Sequence, residues 1–142
     1  MLTRTLLLVA ALLVAACSGS TASADPSAGG PVDASGSWVL TAGTANGQPI
    51  PIVEGRPITL QIEGATVGGQ SACNQYFGEL TLVDGTVRIG GLGGTEMACE
   101  EPVMASEAAY LDALGTVVGA RMDGSSLVLA GPAVELRFDP AQ

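Results

Sequence analysis

The feature that most constrains this chain is a period of two in its side-chain polarity. Ile58-Thr-Leu60-Gln-Ile62-Glu63 alternates apolar with polar residues, and Val134-Glu-Leu136-Arg-Phe138-Asp139 does the same with every charge on one side. A strand sends successive side chains to opposite faces, so each segment buries one face and solvates the other. Trp38 and Leu40, Leu80 and Leu82, Val87 and Ile89, and Leu127 and Leu129 are shorter versions. Turn signals separate them at Glu63-Gly64, Asp84-Gly85, Asp123-Gly124 and Gly131-Pro132. Asp-Gly tolerates positive φ at both central positions of a hairpin, which makes Val83-Asp-Gly-Thr86 and Met122-Asp-Gly-Ser125 the clearest turns. Several short antiparallel strands at this spacing close into a small barrel or sandwich.

One segment departs from that period. From Glu100 to Val118, Val103, Tyr110, Leu111, Leu114 and Val118 recur at helical spacing. Pro102 suits a first helical position, Glu100 and Glu101 the positive end, and Gly115 or Gly119 the exit. The expected fold class is therefore mainly β, an antiparallel barrel or sandwich with one amphipathic helix packed on the sheet or closing one end.

The N-terminus carries an address. Leu6 to Ala16 is an unbroken apolar run of eleven residues behind Arg4. As a helix it spans roughly 17 Å, short of a bilayer core of about 30 Å, and it ends in small residues, as a secretory signal peptide does. Val14-Ala15-Ala16-Cys17 resembles the lipobox of bacterial lipoproteins, in which the cysteine is acylated. That resemblance implies a leader over residues 1–16 and a lipid-carrying Cys17, hence a membrane partner reached through acyl chains. Residues 18–37 are rich in Ser, Gly, Ala and Pro and hold one large apolar side chain, Val32. Such a stretch cannot offset its ordering entropy, so 17–37 reads as a lipidated cysteine with a flexible linker and 38–140 as one folded domain. The protein is expected to be exported, anchored at the extracytoplasmic face of the cell membrane, and monomeric.

Three cysteines are an odd number for an exported protein. With Cys17 lipidated, Cys73 and Cys99 remain to form a structural disulfide in an oxidising compartment. The residues around that pair, Gly69-Gln-Ser-Ala-Cys73-Asn74-Gln-Tyr76-Phe-Gly78 and Gly94-Thr95-Glu-Met97-Ala98-Cys99, resemble the META domain, or HslJ-like, family. Its signature is a Gly-Cys-Asn with a nearby aromatic and glycine, then Thr-x-Met-Ala-Cys, then a helix with Glu and Leu. Asn74, Gly78, Thr95, Met97 and Glu107 take motif positions here, with Tyr110 and Leu114 further along the helix and Trp38-Val-Leu40 as the opening strand. The similarity covers about residues 36–139. It departs at Ala72, where the family usually has glycine, so the expectation is that the tighter glycine backbone is not needed. The resemblance implies a compact antiparallel β structure with one helix, often in lipoproteins or exported proteins linked loosely to stress or antibiotic tolerance. It implies no catalytic activity.

The chemistry available is narrow. The chain has no histidine, five Lys plus Arg against 14 acids, and a net charge of −9. Imidazole catalysis is excluded, and a basic surface for nucleic acid is absent. Gly90-Gly-Leu-Gly-Gly94 lacks the lysine of a P-loop. Glu96, Glu100 and Glu101 are too few oxygens for calcium without an EF-hand loop, and read as a solvated helix start. No cofactor or metal is expected. Asn74 reads as a turn residue that bonds its own backbone, and Trp38, Tyr76 and Phe77 as core aromatics. Glu107 falls on the apolar helix face, so it should make a buried structural hydrogen bond or ion pair. The expected function is a non-catalytic, lipid-anchored envelope protein that binds a protein partner or supports stress tolerance. Two alternatives remain: a small-ligand binder with a pocket in the barrel mouth, and an inhibitor of exported hydrolases presenting the Pro-rich loop from Gly43 to Arg56.

Overall fold

The structure, a computed structural model, describes residues 32–142. The expected leader, Cys17 and most of the linker lie outside the described residues. The elements follow in the order β1 (Gly36–Ala45), β2 (Gln48–Pro49), β3 (Thr59–Glu63), β4 (Thr66–Gln70), β5 (Gln75–Val83), β6 (Thr86–Gly94), α1 (Glu101–Leu114), β7 (Gly119–Asp123), β8 (Ser126–Gly131) and β9 (Val134–Pro140). All pairings are antiparallel, in the order β2-β1-β3-β4-β5-β6-β7-β8-β9, and β1 also pairs with β9. The fold is mainly β, a ring of strands.

Strand β1 closes the ring because it is long enough for two partners. Gly36 to Val39 pair with β3, while Trp38 to Ala45 pair with β9 across an irregularity between Leu40 and Ala42. Closing a sheet removes exposed edges but requires the strands to stagger. The stagger is concentrated between β6 and β7, which share the single register pair Thr86↔Gly119. Bonds from Val87 N–H to the Val118 carbonyl and from Ala120 N–H to the Gly85 carbonyl extend that seam.

The alternation read from the sequence becomes the core. Leu60, Ile62, Tyr76, Leu80, Val87, Leu127, Leu129, Leu136 and Phe138 all point inward and are buried. Helix α1 packs on β1 and β9 and buries Val103, Tyr110, Ala113 and Leu114. It lies across the end of the ring where β1 and β4 finish and β5 and β9 begin. Outside the barrel, Val128 is fully buried in β8 between its cross-strand neighbours Arg121 and Arg137. These arginines also pair with Glu135 and Asp123, so long aliphatic stems cover an apolar residue while their heads stay wet.

Several boundaries differ from expectation. The helix ends at Leu114, and Gly115 follows it, so Val118 is not on its apolar face but 55% exposed beyond it. The β7–β8 hairpin turns on Gly124-Ser125, one residue later than expected, because Asp123 still pairs with Ser126. Strand β4 was hidden by Gly68-Gly69, and β7 (Gly-Ala-Arg-Met-Asp) has no apolar alternation; neighbouring strands impose both. Packing also starts before residue 38: Ala34 is buried and its carbonyl accepts the Trp38 indole N–H at 2.9 Å. The segment from Gly43 to Arg56 is largely exposed, as expected, but it is pinned at several points. Its start belongs to β1, Gln48-Pro49 form β2, Ile50 is buried, and Ser106 Oγ donates to the Pro51 carbonyl.

Gly94 shows how tightly β5 and β6 meet. A Cβ placed there would sit 2.3 Å from the Gln75 carbonyl oxygen, which is main chain and cannot move aside. Gly94→Ala is expected to cost at least about 2 kcal/mol, the range of a backbone clash in a packed region. Urea unfolding at neutral pH measures it.

Candidate functional site

The motif residues converge at the N-terminal half of α1. The loop between β4 and β5 holds Ser71, Ala72, Cys73 and Asn74; the arm after β6 holds Thr95, Met97 and Cys99; and α1 supplies Glu107. Cys73 and Cys99 form a disulfide with Cα atoms 6.0 Å apart. It ties the loop to the arm.

Asn74 makes every hydrogen bond its side chain allows. Its Nδ2 donates to Glu107 Oε1 at 2.8 Å and to the Met97 carbonyl at 3.1 Å. Its Oδ1 accepts from Met97 N–H at 2.7 Å and from Thr95 Oγ1 at 2.9 Å. Two donors and two acceptors exhaust an amide. Asn74 thus bonds not its own backbone, as expected of a turn residue, but the arm and the helix together.

Glu107 is 8% exposed, and hydrogen bonds rather than an arginine satisfy it. Asn74 backbone N–H donates to its Oε2 at 2.7 Å, beside the Asn74 side-chain bond to Oε1. Ser71 Oγ lies 2.7 Å from Oε2 and 2.8 Å from the Asn74 carbonyl. The hydroxyl has one proton, and the charged acceptor holds it more strongly. Burial pushes the Glu107 carboxyl upward, but the bonds from the Asn74 side chain, the Ser71 hydroxyl and the backbone at Asn74 and Cys73 outweigh it, so the acid is held below its ordinary value. Of the two roles expected for Glu107, the hydrogen bond is the one present.

The same geometry bears on reactivity. A serine beside a glutamate invites a nucleophile–base reading, but Ser71 is fully buried. A carboxylate that accepts three hydrogen bonds and whose acidity is raised is a poor general base. Among the described residues no buried side-chain nitrogen or oxygen lacks a partner. The cluster works as a clamp on the fold.

The remaining sequence candidates are placed as follows. Met97 contributes its backbone, and its side chain is 58% exposed. Gly78 faces inward; a Cβ there would meet the Gly90 carbonyl and Leu92 at 3.0 Å. Ala72 has φ +82° and its methyl is fully buried. The position does need a glycine-like backbone, contrary to expectation, and alanine tolerates the left-handed region at a cost of roughly 1–2 kcal/mol. Glu101 lies in the first turn of α1, where the helix dipole favours it. Trp38 and Tyr76 are core residues, but Phe77 is 64% exposed because it is one step out of phase with the inward row of β5.

A second buried polar pair was not legible in the sequence. Tyr76 OH donates to the Thr59 carbonyl at 2.9 Å, which leaves Tyr110 OH to donate to Tyr76 at 2.7 Å. The rings meet edge to face at 5.6 Å. Burial raises both hydroxyls above the ordinary tyrosine range, so both stay protonated donors. Tyr110 also packs edge-on against Phe138. These rings and Leu114 fill the barrel end that α1 covers. A groove of about 190 Å³ between β6 and α1 is lined by the clamp residues Ser71, Asn74, Thr95 and Glu107 together with Tyr76; two others lie away from it, about 540 Å³ on the outer face of β3 to β5 and about 280 Å³ beside the C-terminal end of α1.

Two measurements test the clamp. Because the folded acid is stronger than the ordinary value of 4.5, its stabilisation is complete above that pH and lost as pH falls through the lower folded value. Glu107→Gln places an amide donor against donors and is expected to cost about 2–3 kcal/mol at pH 7. The variant should also lose less stability than the wild type on acidification, read from urea midpoints across the acid range. Reducing the disulfide, which spans a sequence separation of 26, is expected to cost about 3.5 kcal/mol by the loop-entropy relation; the Cys73→Ala/Cys99→Ala double variant should match the reduced wild type.

The family model of the META domain matches residues 32–142. Among solved structures, a protein from Burkholderia xenovorans determined by NMR is 34% identical, with a TM-score of 0.64 over 75% of this chain and 82% of its own. A duf4847 family protein from Bacteroides vulgatus shares the fold at 18% identity, with a TM-score of 0.56 over 76% of this chain and 94% of its own. Another NMR structure is 23% identical with the same TM-score, covering 73% of this chain and 87% of that one. No curated protein matches. The match across residues 32–142 shows that this chain belongs to the META domain family.

Proposed function

We propose that this META-domain protein is a non-catalytic, lipid-anchored envelope protein, held at the extracytoplasmic face of the cell membrane through Cys17, that binds a protein partner and thereby supports stress or antibiotic tolerance. The observation that carries the reading is the Cys73–Cys99 disulfide. Paired thiols belong to oxidising compartments, and the pairing leaves Cys17, behind an apolar leader, as the one cysteine available for acylation. Catalysis finds no support in the clamp, where Ser71 is fully buried and Glu107 is held by hydrogen bonds from Asn74 and Ser71.

A partner-binding role draws support from the segment after β1. Ile50 is buried and Pro51 is bonded to Ser106, yet Ile52 between these anchors and Val53 is 50% exposed. An apolar side chain on a fixed backbone is what a protein partner recognises at low entropic cost. The barrel-mouth ligand reading finds no comparable support, because Tyr110 and Leu114 occupy that space.

Expressed with its own leader and grown with a labelled fatty acid, the protein is expected to incorporate label and to show a mature mass beginning at acylated Cys17. Cys17→Ala should abolish the label. An intact leader or an unmodified Cys17 in the wild-type protein overturns the anchor.

A further inference from the structure

We propose that the open edge of β6 takes up an extended, basic polypeptide segment of another protein as an added strand. This surface is separate from the segment around Ile52 and needs no lipid anchor. Strand β5 covers one edge of β6 from Thr86 to Gly94. On the other edge β7 meets it at the single pair Thr86↔Gly119. Main-chain groups along a strand turn alternately to its two edges. Val87 donates its N–H to the Val118 carbonyl, so it faces the β7 side, and Ile89 faces the same way beyond the last pair. A bulge follows, because Glu79 pairs with Gly90 and Phe77 with Gly93. Past it, Thr95 donates to the Gln75 carbonyl. Thr95 thus faces β5, which turns Leu92 and Gly94 to the open side. No strand pairs with Ile89, Leu92 or Gly94 there.

The surroundings decide the occupant. Helix α1 packs on β1 and β9, and the groove of about 190 Å³ runs between it and this edge. Leu92, Gly93 and Gly94 form one wall and Leu111 stands on the other; both leucines are half-buried. A row of main-chain donors and acceptors without a strand partner is matched by another main chain. The half-buried leucines accept apolar side chains from it. Two acids line the groove: Glu107 is engaged in the clamp, whereas Glu96 is exposed. Among the described residues no arginine lines it; Arg88 stands at the far end of the open run, opposite Thr81. Glu96, on a chain of net charge −9, favours Lys or Arg in the added strand and disfavours acids. A second copy of this chain carries the same charge and fits less well. In such strand addition the main chain supplies affinity and alternate side chains supply selectivity.

The test is amide hydrogen exchange of the purified full chain in nonionic detergent, read residue by residue by NMR, with the synthetic peptide Lys-Val-Lys-Val-Lys-Val as probe. In the free protein the amides of Ile89, Leu92 and Gly94 should exchange fast, while those of Arg88 and Gly90, which face β5, stay protected. Saturating probe should slow the first three at least about tenfold. The same peptide N-methylated at every residue keeps its side chains and charge but has no main-chain donor, and should protect nothing. A Glu-Val-Glu-Val-Glu-Val peptide should bind at least about tenfold more weakly. Glu96→Gln should weaken the basic probe about threefold, the size of an exposed ion pair. Glu63→Gln, on β3, should leave it unchanged. Both side chains are exposed, so urea midpoints should stay near wild type and report folding. Absence of protection by the basic probe, or equal protection by the methylated or the acidic peptide, would overturn the proposal. So would protection of the three amides in the free protein; if it rose with protein concentration, it would assign the edge to a second copy instead.

Discussion

The fold depends on one buried carboxylate. Glu107 sits on a helix that follows six strands, and it accepts three hydrogen bonds from a loop 33 to 36 residues earlier in the chain. A carboxylate withdrawn from water without partners costs several kcal/mol, so the docked position of α1 requires the loop carrying Ser71 and Asn74 in the shape that receives it. Asn74 passes the constraint on, since its remaining side-chain bonds hold Thr95 and Met97. The disulfide then makes the connection covalent. Loop, arm and helix are positioned as a unit, and the helix in turn sets Tyr110 against Tyr76 and Phe138.

This arrangement has a consequence for binding. A barrel of this size has room inside for side chains or for a small ligand, but not for both. Here α1 crosses one end, and Tyr110, Leu114 and the inward residues of the strands fill the space. Surfaces outside the ring include the pinned segment around Ile52 and the groove beside Phe77. Both stand on backbone that is hydrogen-bonded in place, so little ordering entropy is lost when something binds.

Much of the architecture was legible in the chain. Ile58 to Glu63 and Val134 to Asp139 gave clean alternation, and both became strands with the expected inward faces. Asp84-Gly85 turned as its chemistry requires, with φ of +50° and +77°. Strands β4 and β7 escaped because their residues lack the period of two; cross-strand neighbours hold them extended. Phe77 was assigned to the core by its type, whereas the phase of β5 puts it outside. Ala72 was read as relief from a glycine-like backbone and instead adopts one, because the loop must curl to offer Asn74 N–H to Glu107.

The amino-acid sequence by itself determined the strand period, the tight turns, the position of the helix and the pairing of two cysteines. Each depends on residues close together in the chain or on simple counting. Only the tertiary structure decided which end of the ring the helix covers, that Asn74 and Glu107 complete each other, and that Phe77 stands beside Glu63 and Glu79. Those facts depend on strand register and barrel stagger. Register joins residues far apart in sequence, and a shift of one position would have sent every one of these side chains to the opposite face.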